Sequence, residues 1–134
     1  MKNKSKLQKI QKKKISIPSV PAEWLYFMEE EMLLREIYEI FMDDAGCSAE
    51  FWQEAGVLEI AVPEYGSVDV EEFEEIDEDL QLYMEEHHLK SVFAVTIVPE
   101  HYEKARQMME KILSQKGGYF CGDTDDFLPE IRLG

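Results

Sequence analysis

Cysteine is nearly absent from this chain. Only Cys47 and Cys121 occur, too few for a disulfide framework, so a folded body has to be held by packing. Long hydrophobic runs are missing as well: the longest, residues 92–98, is interrupted by Thr96 and stopped by Pro99, far short of the roughly 20 apolar residues that a membrane-spanning helix needs. No cleavable apolar leader is recognisable, and the expected compartment is a reducing cytoplasm.

Basic residues are missing from most of the chain. The formal charge is −15, but Lys2, Lys4, Lys6, Lys9, Lys12, Lys13 and Lys14 all precede Ile15, and every carboxylate follows Pro21. The body therefore carries 7 basic against 29 acidic side chains, a net of −22. Such a body repels nucleic-acid phosphate, because non-specific binding depends on Lys and Arg displacing counterions. It favours a basic partner or divalent cations instead.

Several signature motifs are also missing. Neither glycine-rich phosphate loop occurs, and Gly117-Gly118 follows a predicted helix rather than opening one. The G-x-S-x-G nucleophile elbow is absent, since Ser67 lacks the second glycine. Glu85 and His88 form one Glu-x-x-His pair, yet a bundle metal site needs a second pair and two further carboxylates. Asp123, Asp125, Asp126 and Glu130 resemble a calcium loop only superficially, because Phe127 and Leu128 stand where oxygen ligands and glycine belong. Asp side chains in turns ordinarily accept from nearby backbone N–H groups. Acidic neighbours Asp43, Asp44 and Glu50 oppose a reactive thiolate at Cys47. Cys121 reads as a small buried hydrophobe. No cofactor, metal or catalytic residue is assigned, and the chain is expected not to be an enzyme; an enzyme using a divalent cation is a distant alternative.

What is present is enough apolar material for one core, 45% of 134 residues with two Trp, six Tyr and seven Phe. Residues 1–14 have little to bury and form an expected flexible lysine-rich arm, and residues 15–134 one acidic α+β domain. Residues 15–21 alternate like a strand, but their two prolines, Pro18 and Pro21, limit them to an edge strand or an extended linker. From residue 22 to 45 no Gly or Pro interrupts a helical recurrence of Leu34, Ile37, Tyr38 and Phe41, which predicts one long amphipathic helix. Ser48 is placed to cap a short helix that buries Phe51 and Trp52 and closes at a left-handed Gly56.

Residues 57–62 alternate as a half-buried strand, and residues 63–67 are the turn after it. Phe73, Ile76, Leu80, Tyr83 and Met84 suggest a helix reaching about residue 88, with Asp69 and Glu72 as its capping pair. Residues 92–98 read as a central strand. Pro99 opens a helix that Gly117-Gly118 ends, and residues 119–121 form a last strand parallel to the central one.

This order predicts an α+β fold with a small mixed sheet and helices packed on one face. A ferredoxin-like sandwich, its first strand at residues 15–19, is favoured over a three-stranded βαβαβ sheet.

The most unusual feature is the run Glu71, Glu72, Glu74, Glu75, Asp77, Glu78 and Asp79, seven carboxylates in nine positions around Phe73 and Ile76. On one helix their mutual repulsion is destabilising. The run is therefore the candidate partner-binding surface. The function expected from elimination and charge is a non-enzymatic cytoplasmic regulatory or adaptor domain that binds a basic protein through this acidic helical face. The alternative is an acidic inhibitor, an immunity protein or nucleic-acid mimic, that blocks a nuclease or another basic nucleic-acid-binding protein. No direct nucleic-acid binding by the body and no membrane span are expected.

Overall fold

The structure, a computed structural model, describes residues 20–133. The expected arm, and the strand assigned to residues 15–19, lie outside the described residues. The first element among the described residues is a strand, β1, Glu23–Met28. Trp24, Leu25, Tyr26, Phe27 and Met28 form an unbroken apolar run whose alternate side chains enter cores on opposite faces of the sheet. A run apolar at every position suits a strand covered on both sides. The single long helix expected over residues 22–45 is therefore corrected to β1 followed by α1, Leu34–Phe41. The Glu36 carboxylate accepts from the Leu33 N–H at 2.9 Å, closing the first turn of α1.

Ser48–Trp52 is a strand, β2, not a helix, because its side chains alternate with period two. Ala49 and Phe51 turn inward, while Ser48, Glu50 and Trp52 face solvent, with Trp52 47% exposed. Gly56 is left-handed, φ 67°, but in a hairpin turn rather than a helix cap. β3, Val57–Val62, buries Leu58, Ile60 and Val62 as its alternation predicts.

β4, Gly66–Glu72, replaces the first part of the predicted acidic helix, with Val68 and Val70 inward. The helix itself, α2, is shorter, Glu78–Glu86, and its N-cap is Asp77 rather than Asp69. β5, Ser91–Thr96, a 3-10 turn opened by Pro99, α3, Tyr102–Lys116, and β6, Tyr119–Gly122, follow the predicted order. Gly117 ends α3 at φ 84°, its N–H donating to the Leu113 carbonyl at 2.8 Å. A two-residue strand, β7, Glu130–Ile131, completes the described sheet.

The seven strands lie in the order β2-β3-β4-β5-β1-β6-β7, and every neighbouring pair is antiparallel. The expected small mixed sheet is thus corrected to a larger antiparallel one. β5 and β6 do run parallel, but β1 lies between them and is antiparallel to both.

The helices are not confined to one face. α1 and α3 bury Leu34, Ile37, Phe41, Met109 and Ile112 against the larger core on one side. α2 sets Leu80 and Met84 over Leu25, Phe27, Val92, Tyr119 and Cys121 on the other. The core contacts of α2 are thus confined to β1, β5 and β6. On that side β2, β3 and β4 place no residue in either buried core.

Candidate partner-binding face

The half of the sheet beside α2 is built by alternation. On β2, β3 and β4 the inward positions are apolar, and the intervening ones, Ser48, Glu50, Trp52, Val57, Glu59, Ala61, Ser67, Asp69 and Glu71, share the opposite face. Cross-strand register then sets one carboxylate from each strand in line. Glu50 is opposite Glu59, Glu59 opposite Asp69, Asp69 opposite Thr96, and Thr96 opposite Glu23 on β1. With strands about 4.8 Å apart, the row crosses five strands and spans roughly 19 Å. Glu50, Thr96 and Glu23 are exposed, and Glu59 and Asp69 are half-buried.

Like charges directly opposite one another on a sheet are destabilising. Three consecutive carboxylates in such a row incur a repulsion that neutral side chains in the same places would not. Asp69 adds a second cost: its Oδ1 has essentially no solvent contact and no hydrogen-bond partner among the described residues. A buried oxygen of that kind ordinarily has a donor.

No Lys or Arg occurs on any of the seven strands or on α2. Five of the seven basic residues after residue 20, Arg35, Lys104, Arg106, Lys111 and Lys116, stand on α1 and α3, behind the sheet. Four of those make ion pairs there: Arg35 with Glu39 at 3.2 Å, Arg106 with Glu110 at 3.1 Å, Lys111 with Asp44 at 2.6 Å and Lys116 with Glu36 at 3.3 Å. Hydrogen bonds from Lys111 and from the Gly46 N–H hold the Asp44 carboxyl below its ordinary range. The Leu33 N–H and Lys116 do the same for Glu36. Among the described residues, no carboxylate of the row has such a partner.

The acidic run read from the sequence is divided among three elements. Glu71 and Glu72 end β4, with Glu71 on the bare face; Glu74 and Glu75 lie in the connecting loop; Glu78 and Asp79 begin α2. Asp77 accepts from the Leu80 N–H at 2.8 Å. A carboxylate at this position completes the helix start, and the charges of the first turn are favourable there. The single acidic helical face is corrected accordingly.

Asp77 and Asp79 meet Asp123 and Asp125 across a cleft of about 380 Å³ floored by Leu25 and Phe127. The Asp123 N–H donates to the Glu23 carbonyl at 2.9 Å, so this cleft adjoins the end of the carboxylate row.

The remaining sequence candidates resolve into local roles. Asp126 accepts from Thr124 at 2.9 Å and from the Leu128 N–H at 3.2 Å, as Asp side chains in turns do. His87 caps the end of α2 and His88 lies beyond it at φ 58°, so Glu85 and His88 do not share a helical face. Among the described residues, no group of three or more His, Cys, Asp or Glu side chains is arranged to hold a metal ion. Cys47 precedes a strand, not a helix N-terminus, and burial followed by the Asp44 charge pushes its thiol pKa up. Cys121 is fully buried, as expected.

Sequence reasoning placed none of Glu23, Glu50, Glu59 and Asp69 in a binding site; Glu50 entered it as a neighbour of Cys47 and Asp69 as a helix cap. Their signal was the polar position of an alternating pattern, legible one strand at a time, whereas the row exists only in the register between strands. No protein-family model, no curated protein and no solved structure matches this chain.

Proposed function

We propose that this chain is a non-enzymatic regulatory or adaptor domain of the cytoplasm that binds a basic protein partner through the bare, carboxylate-lined half of its sheet. The observation that carries this reading is the in-register row Glu50, Glu59, Asp69 and Glu23 on strands that carry no Lys or Arg. Charge of one sign on a broad surface steers an oppositely charged partner and speeds its association. The acidic run adjoins this face, with Glu71 on it and Asp77 and Asp79 in the neighbouring cleft, and so enlarges the same surface.

The test compares two full-length variants of equal charge. In one, Glu50→Gln, Glu59→Gln and Asp69→Asn neutralise the row; in the other, Glu29→Gln, Glu30→Gln and Glu31→Gln remove three exposed carboxylates just past the opposite end of β1. Each is used to capture proteins from the native host, with quantitative mass spectrometry. A partner retained by the second variant and lost by the first supports the reading. Equal retention by both sinks it.

The alternative of an acidic inhibitor draws support from the linearity of the row, which presents regularly spaced negative charge as a nucleic acid does. That reading expects the row-dependent protein to be a nuclease or nucleic-acid-binding protein, captured tightly and released steeply by salt. A row-dependent partner without nucleic-acid affinity favours the adaptor.

A further inference from the structure

We propose that, without a partner, the carboxylate row is occupied by the lysine-rich segment of the same chain, residues 1–14. The row needs cations, and no strand or α2 supplies one. Asp69, half-buried in the middle of the row, has no ion-pair partner among the described residues. Seven lysines stand between residues 2 and 14, with no acidic residue among them.

Position strengthens the charge argument. The described chain starts at Val20, three residues before Glu23, and Glu23 is itself one end of the row. Residues 15–19 reach at most about 17 Å and residues 1–14 at most about 48 Å, against roughly 19 Å for the row, so the lysines can lie along its whole length. A short tether holds such a segment near its site at an effective concentration in the millimolar range, far above what a free peptide of the same charge would reach in the cell. The segment is thereby an internal competitor that a basic partner has to displace. This inference uses the face on which the partner reading rests but requires no partner to exist.

Zero-length carbodiimide cross-linking of the full-length chain at low salt, followed by digestion and mass spectrometry, tests it. The expected result is that Lys2 to Lys14 join Glu23, Glu50, Glu59 or Asp69 at least severalfold more than they join Glu29, Glu30 or Glu31, and that these products fall steeply at high salt as the charges are screened. An equal mixture of ¹⁵N-labelled and unlabelled chains reports the source of the lysines. Products within one isotope support the same-chain contact, and abundant mixed-isotope products overturn it in favour of a second copy.

A second measurement does not depend on reactivity. Replacing all seven lysines with Gln in the full-length chain is expected to shift the backbone amide resonances of Glu59, Asp69 and Thr96 while leaving those of α1 and α3 in place. Unmoved resonances along the row overturn the proposal, as does cross-linking concentrated on Glu74 and Glu75. Both experiments contain no partner, so their failure leaves the partner reading standing. A failed capture experiment likewise leaves the cross-links intact.

Discussion

On the α1/α3 side of the sheet, four of five cations stand within salt-bridge distance of a carboxylate; on the α2 side Arg132 pairs with Glu130 at the β7 edge, over the Tyr119 ring, and the carboxylate row on β2, β3, β4 and β1 has no such partner among the described residues. Packing differs between the sides in parallel. The α1/α3 side holds a core drawn from six of the seven strands and two helices, and the α2 side a much smaller one confined to β1, β5 and β6. One face thus resembles the inside of an ordinary domain with its charges neutralised. Among the described residues the other is half-covered and carries an unpaired carboxylate row, which is the condition of a surface awaiting something.

The sharpest way to break this contrast is to cut into each core. Phe41→Ala, at a fully buried position on the α1/α3 side, is expected to cost about 3–5 kcal/mol, whereas Met84→Ala under α2 is expected near 2 kcal/mol because its edge can relax into solvent. Urea unfolding curves give both values. Equal costs mean that the two cores carry the fold equally and the asymmetry is superficial.

Alkaline titration probes the buried groups on the α2 side next. Burial pushes the Cys121 thiol up to about 12 from its usual 9.0. Burial and the hydrogen bond to Tyr83, 2.6 Å long, drive the Tyr119 hydroxyl upward as well. In both cases the unfolded chain loses its proton first. The stability these groups contribute is therefore complete below about pH 9 and is lost as pH rises toward 12. A stability curve flat across that interval would show that Cys121 is open to water; so would alkylation of Cys121 in the folded chain as fast as that of Cys47.

A smaller effect separates carboxylates that serve the fold from those that do not. Asp77→Ala removes the acceptor for the Leu80 N–H and is expected to cost about 1 kcal/mol in thermal or urea unfolding. Glu74→Gln and Glu75→Gln, in the exposed loop three and two residues earlier, are expected to cost nothing measurable. If all three behave alike, α2 is not capped as described and the acidic run is one undifferentiated surface.

The sequence was most legible where the pattern was long and pure. Residues 57–62 and 119–121, the apolar stretch from 92, and the helix between Pro99 and Gly117 all appear as read. It failed where a short strand imitated part of a helix. Trp24 to Met28 are followed by three glutamates and a real helix with no Gly or Pro between, so nothing marks the boundary of β1. Ser48 looks like a helix cap, and five residues are too few for the alternation of β2 to prevail. Ser67 to Glu71 alternate cleanly, but Asp and Glu are depleted in strands, and their presence favoured a helix. These failures concealed the candidate site, because Glu23, Glu50 and Asp69 lie on the three misread strands, beside Glu59 on the strand read correctly. A row assembled from five strands, moreover, has no one-dimensional signature at all.

The smallest predicted effect is the most informative about why the row exists. Glu59 stands between Glu50 and Asp69, so in a chain whose seven N-terminal lysines are replaced with Gln, Glu59→Gln removes two like-charge contacts at once and is expected to stabilise the fold by about 0.2–1 kcal/mol at low salt. The gain should shrink as salt screens the repulsion. The matching substitution behind the sheet, Glu110→Gln, breaks the exposed pair with Arg106 and is expected to cost about 0.3–0.5 kcal/mol under the same conditions. Urea unfolding of both variants at two salt concentrations compares opposite signs, which a systematic error in either curve cannot imitate. Stabilisation at Glu59 means that its charge costs the fold something and has to be accounted for by binding. In the chain that keeps its lysines, where the arm holds cations on the row, the gain is expected to shrink or turn into a loss. A loss that persists without the seven lysines would mean that the row is neutralised from within the described body, and the contrast between the two faces fails.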